Sequence, residues 1–161
     1  MLIVRRVSTL RRYLAEGYVY HVSSATDERR AVFRSRGAAQ VLLDAIEFQR
    51  ADRVLVLAYV VMPDHFHALV APTAPWTISK VMQSIKGYTS RVLNDRNGER
   101  GRLWQPGFYD RVIRGESQLS DCVEYIHENP VKAGLSCEAA GYPYSSACAE
   151  RETDIEKFIG G

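Results

Sequence analysis

Cysteine is scarce in this chain and unpaired by spacing. Cys122, Cys137 and Cys148 are the only three, and no two of them form a C-x-x-C. That excludes a cysteine-built zinc site, and an odd number of thiols suits a reducing compartment. Charge of one sign is also lacking. The net charge is +2, so whole-molecule electrostatics does not announce a nucleic-acid binder, and local clusters must carry that property. No apolar run approaches a membrane span. Met1-Leu2-Ile3-Val4 gives way at once to Arg5 and Arg6, which is not a signal-peptide pattern. The expectation is a cytoplasmic protein. Repeats, low-complexity tracts and Gly/Ser linkers are missing too. What remains is an ordinary globular composition, 46% hydrophobic and 25% charged over 161 residues, enough for one domain with its own core. The chain is expected to be one domain, with residues 1–14 as a basic arm and 131–161 as a tail.

The most informative stretch is Tyr59-Val60-Val61-Met62-Pro63-Asp64-His65-Phe66-His67-Ala68-Leu69-Val70. It reads as strand, tight turn at Pro63-Asp64, and strand. Side chains alternate along a strand, so His65 and His67 share one face while Phe66 takes the other. Two imidazoles so placed can chelate one metal ion if a third ligand arrives from elsewhere. The plainer alternative is a polar strand face. The apolar flanks put the hairpin in a core, where histidines need a partner or a function.

Arg5, Arg6, Arg11 and Arg12 form the basic arm, which is either a phosphate contact or a solvated terminus. Residues 17–23 read as the first strand, with His21 as a structural strand residue or a neighbour of the site. Residues 26–29 read as a loop. Residues 35–50 are helical by the spacing of Ala38, Val41, Leu42, Ala45 and Ile46, with Ser35 as cap. The hairpin occupies 53–62 and 64–71. A second helix is expected over 77–94, with Lys80, Lys86 and Arg91 off its apolar stripe and Gly87 allowing close approach of another backbone. A fourth strand is expected near 108–113. This order is the split β-α-β topology of a ferredoxin-like α+β domain (β-α-β-β-α-β): an antiparallel sheet with both helices on one face and the first and third strands central. A third helix over 117–129 is expected to stop at Pro130, and Ile155, Phe158 and Ile159 suggest a last short helix.

Tyr125 and Asn129 lie within one turn of each other on an edge of that third helix. From there Tyr125 can act as a nucleophile and Asn129 as the oxygen ligand that completes a His-His-metal site. Glu128 competes with Asn129. Tyr88, inside the basic stretch from Lys86 to Arg91 that could bind DNA phosphates, is the rival nucleophile. Two histidines, a carboxamide and a tyrosine suit one reaction. A divalent ion polarises a phosphate, and a phenolic oxygen attacks phosphorus and conserves the bond energy as phosphotyrosine.

Val60 to His67, Leu103-Trp104-Gln105, the run from Tyr125 to Gly134, and Tyr142-Pro143-Tyr144-Ser145-Ser146 together resemble the single-tyrosine HUH transposases, most of all the REP-associated group named for repetitive extragenic palindromes. The resemblance spans roughly residues 15–147. It implies His65, His67 and Asn129 as metal ligands, Tyr125 as catalytic tyrosine, and Mg²⁺ or Mn²⁺ as cofactor. It also implies cleavage and rejoining of single-stranded DNA at hairpins through a 5′-phosphotyrosine, by a monomer or a homodimer. The hairpins stand next to a short guide sequence, which the basic arm is suited to contact. Two other classes stay open. One is a catalytically idle nucleic-acid-binding module stacking bases on Tyr18 and Tyr20. The other is a replication initiator or relaxase with the same chemistry.

Overall fold

The computed structural model describes residues 11–155. Arg5 and Arg6, and the short helix expected around Phe158 and Ile159, lie outside the described residues. The elements are β1 (Tyr20–Ala25), α1 (Arg36–Gln49), β2 (Val54–Met62), β3 (His65–Pro72), α2 (Ile78–Asn97), β4 (Tyr109–Val112) and α3 (Glu116–Lys132). All strand pairings are antiparallel, in the order β2-β3-β1-β4, so the first and third strands are central as expected.

Side-chain alternation divides the sheet into two faces. Val22, Phe66, Ala68 and Val70 join α1 and α2 in one core. Val19, Leu57, Val60, Leu69 and Ile113 form a second core with Leu119, Cys122 and Ile126 of α3. The helical boundaries have local causes. Ser35 accepts a hydrogen bond from the Ala38 N–H, and Thr77 from the Lys80 N–H. Gly98 closes α2 in the left-handed region (φ 63°), so the helix ends at Asn97, three residues past the expected end.

Three expectations need correction. β1 starts at Tyr20, not residue 17, because residues 11–16 are helical and Gly17 turns the chain between them. α3 runs through Pro130 to Lys132. The proline costs the helix one N–H donor, but the Ala133 N–H still reaches the Asn129 carbonyl and the Leu135 N–H reaches that of Pro130, so the last turn closes around it. No second backbone approaches Gly87: a Cβ there would meet nothing within 4 Å outside its own helix.

The tail is packed on the domain and covers the outer edge of β2. The Val61 N–H donates to Tyr144, and the N–H groups of Ser146 and Asp154 donate to Tyr59 and Val56. Unpaired edge groups are thereby satisfied. Side chains fasten this segment as well, among them Ser146, whose hydroxyl accepts from the Tyr59 N–H at 2.9 Å. The Tyr142 hydroxyl donates to the Val61 carbonyl at 2.6 Å. The Asp154 carboxylate, 1% exposed, accepts from the Val56 N–H and, with both oxygens, from Nε and Nη2 along one edge of the Arg50 guanidinium.

Candidate active site

The turn ahead of β3 positions the histidine pair. The Phe33 N–H bonds the Pro63 carbonyl and the Thr26 N–H bonds that of Asp64, so the hairpin tip is held from the β1 side. His65 and His67 then project from the α3 side of β3, with ring centroids 5.0 Å apart and planes at 90°. Each ring has its Nδ1 engaged. That of His65 meets Asp64 Oδ1 at 2.7 Å, and that of His67 meets His21 Nε2 at 3.0 Å. A carboxylate on one ring nitrogen is the usual outer support of a metal-ligating histidine. In both residues the nitrogen left over is Nε2. Arg29 reaches the other Asp64 oxygen at 3.4 Å, from a backbone in the left-handed region (φ 53°).

Register brings in His21. On β1 it pairs with Leu69, and Ser23 pairs with His67, so His21 stands diagonally from His67 on the same face. Burial, followed by the positive charge of Arg111, lowers the His21 pKa to about 4. Burial, followed by the charges of His65, His21 and Arg29, lowers that of His67 to about 3. Both rings are neutral near pH 7, the state in which imidazole ligates metal.

α3 carries the tyrosine over this group. The Tyr125 ring lies 5.4 Å from His67 and 5.8 Å from His21, edge-on to both. It is 47% exposed. The surrounding hollow, about 570 Å³, is walled by His21, Ser23, His67, Tyr109, Arg111 and Tyr125, among others. Tyr109 touches the His21 ring at 6.0 Å. Asn129 is half-buried one turn along α3, its amide directed to the Tyr125 carbonyl at 3.5 Å, and it does not line the hollow. His127 faces elsewhere: its Nε2 meets Ser146 Oγ at 2.7 Å, which docks the tail.

The basic residues expected to meet DNA are dispersed. Arg11 pairs with Glu116 at 2.8 Å on the surface, and Arg12 lies over the Tyr13 ring. The Lys86 ammonium is committed to the carbonyls of Gln105 and Gly107. It thereby ties down the Leu103-Trp104-Gln105 stretch, whose Trp104 donates to Thr89 and packs on Phe33 and Phe66. Arg91 stands on α2 beside the exposed Tyr88, in a groove between the helices. Sequence reasoning left His21 undecided and missed Tyr109. Only strand register places them here, and no local signal marks it.

The residues present suit a divalent cation in part. Among the described residues no three His, Cys, Asp or Glu side chains converge on one point. Two imidazoles with free Nε2 atoms therefore need a donor of another kind, such as a carboxamide oxygen or water.

The family model described as Transposase IS200 like matches residues 15–129. The chain belongs to the IS200-like transposase family. It is 28% identical to the REP-associated tyrosine transposase of Escherichia coli (strain K12) over 142 residues, 87% of this chain and 82% of that protein. Its fold matches the structure of a REP-associated tyrosine transposase bound to a REP hairpin with a TM-score of 0.69 at 26% identity, over 81% of this chain and 76% of the other. The family resemblance and the α+β fold expected from the motifs are thus borne out. No helix among the described residues is long and apolar enough to cross a membrane.

Proposed function

We propose that this transposase cleaves and rejoins single-stranded DNA beside hairpin sites, with Tyr125 as nucleophile. The observation that carries the reading is the Tyr125 ring set against both His67 and His21. Tyr109 meets His21 alone, and Tyr88 lies along a different groove. His65 and His67, with the Asn129 carboxamide as oxygen donor in place of its competitor Glu128, which does not converge with the two histidines, would hold Mg²⁺ or Mn²⁺, whose charge withdraws electrons from a phosphate and favours attack on phosphorus.

The chain's own residues do the rest. Asp64 and His21 fix the two imidazole orientations, leaving both Nε2 atoms outward. The phenolic oxygen of Tyr125 forms a bond to phosphorus as the bond to the 3′ oxygen breaks. The tyrosine loses its proton and the departing oxygen gains one. The phosphotyrosine keeps the bond energy, so a 3′-hydroxyl can reverse the step and rejoin the strand. Half-exposure of Tyr125 leaves room for a strand to pass beside it. The hairpin part of this reading is supported by the likeness to a REP-associated tyrosine transposase bound to a REP hairpin.

The test is covalent trapping of labelled hairpin DNA bearing single-stranded flanks, with Mn²⁺ or with EDTA, on denaturing gels. An adduct with Mn²⁺ that is lost with EDTA, in Tyr125→Phe and in His67→Ala supports the reading. An adduct that survives Tyr125→Phe moves the nucleophile, and Tyr109→Phe and Tyr88→Phe locate it. Binding without any adduct favours an idle binding module.

A further inference from the structure

On the other side of the sheet from the histidines, α1 and α2 leave a groove of about 750 Å³ between them. Its composition is unlike the closed core beneath it. Two aromatic rings line it while remaining open to solvent, Phe48 at 61% and Tyr88 at 41% exposure. Each has a guanidinium beside it. Arg53 lies 4.8 Å from the Phe48 ring, held there by the Trp76 ring at 4.1 Å and by the Ser84 hydroxyl, and Arg91 lies 5.8 Å from the Tyr88 ring. Gly87, one residue before Tyr88, keeps the wall low because it has no side chain. The one acidic residue in the lining, Asp44, is bonded to Gln40 on its own helix.

Gln49 also lines the groove and is only 2% exposed. Its amide nitrogen donates to Ser84 at 3.0 Å, while its Oε1 has no hydrogen-bond partner among the described residues. A buried amide oxygen without a donor is costly, and such groups call for an explanation. A ligand N–H supplies one.

We infer that the α1–α2 groove takes an unpaired nucleobase of a DNA strand and its flanking phosphates. The base stacks on Tyr88 or Phe48, its N–H donates to Gln49 Oε1, Arg91 faces the phosphates, and Arg53 holds the Phe48 ring in place from its other side. Stacking on aromatics accepts any base, whereas an acceptor at its edge favours bases with an exocyclic amine. This rests on the DNA-processing reading above, and it adds a second contact on the face away from Tyr125. A strand engaging both must pass around the sheet.

The test uses the full chain and labelled ten-nucleotide oligomers of dA, dC or dT, read by fluorescence anisotropy, with adduct formation followed in parallel. Phe48→Ala and Tyr88→Ala change exposed positions and should fold normally. At least one is expected to weaken dA and dC binding about tenfold. Gln49→Leu is expected to abolish the preference for dA and dC over dT. Unchanged affinities in all three variants, or equal displacement of the oligomer by polyglutamate, would overturn the groove. A wild-type chain that still forms its Tyr125 adduct in that case leaves the cleavage reading intact. A chain that binds no oligomer yet forms the hairpin adduct overturns the groove alone, and one that binds the oligomers but forms no hairpin adduct overturns the cleavage reading alone.

Discussion

Along β3, Phe66, Ala68 and Val70 face α1 and α2, while His65, His67 and Leu69 face α3. The first set disappears into a closed apolar layer, with Phe66 fully buried beside Trp104. The second set is apolar only toward one end. There Leu69 meets Leu119 and Ile126 in the second core, and toward the turn the same face opens into the histidine hollow. The difference teaches how one strand serves both stability and chemistry. The closed face supplies burial, and the rigidity it gives lets the other face hold neutral imidazoles at fixed separations. α3 bridges the two roles. Its stripe of Leu119, Cys122 and Ile126 anchors it, and Tyr125, one residue off that stripe, is left above the hollow.

The largest effect that separates the faces is Phe66→Ala. It removes a fully buried ring and should cost about 3–5 kcal/mol in denaturant unfolding. A loss no greater than that of a surface change would show that the closed face is not the stabilising one. Asp154→Ala comes next. It takes the buried acceptor away from the Val56 N–H and from Nε and Nη2 of Arg50, which keeps its pair with Glu47, and about 2–3 kcal/mol is expected for the donors left unsatisfied. Were the tail only loosely attached, the melting temperature would hardly move.

His21→Leu tests the open face. It removes the partner of His67 Nδ1 but keeps an apolar side chain on β1. Mn²⁺ binding, followed by electron paramagnetic resonance, should weaken about 10–100-fold, with a smaller loss of stability than Phe66→Ala. Equal metal affinity in wild type and variant would make His21 a packing residue.

The smallest effect concerns alkaline pH. Burial, with a lesser contribution from Tyr144, raises the Tyr142 pKa to about 12. The unfolded phenol loses its proton near pH 10, so between pH 10 and about 12 the unfolded state binds fewer protons than the folded one. Stability therefore falls as pH rises through that window. Tyr142→Phe should flatten that fall and cost about 1 kcal/mol at neutral pH through loss of the hydrogen bond to Val61. Parallel alkaline curves for the two proteins would refute the assignment.

Much of this was legible before any coordinates. Apolar spacing located α1 and α2, Ser35 capped α1 as read, and the alternation around Phe66 put His65 and His67 on one face. These are local properties, set by the periods of helix and strand. Pro130 misled because the bias against helix before a proline is only a preference, and the next carbonyls found donors. Gly87 misled because a missing side chain signals either close packing or open space, and sequence does not distinguish them. Element order and the shared face of His65 and His67 were determined by the sequence itself. The placing of His21 against His67, of Tyr125 over both, and of Asp154 under Arg50 was decided by tertiary structure. Each of those contacts joins segments whose separation along the chain carries no periodic signal, so only strand register and helix docking bring them together.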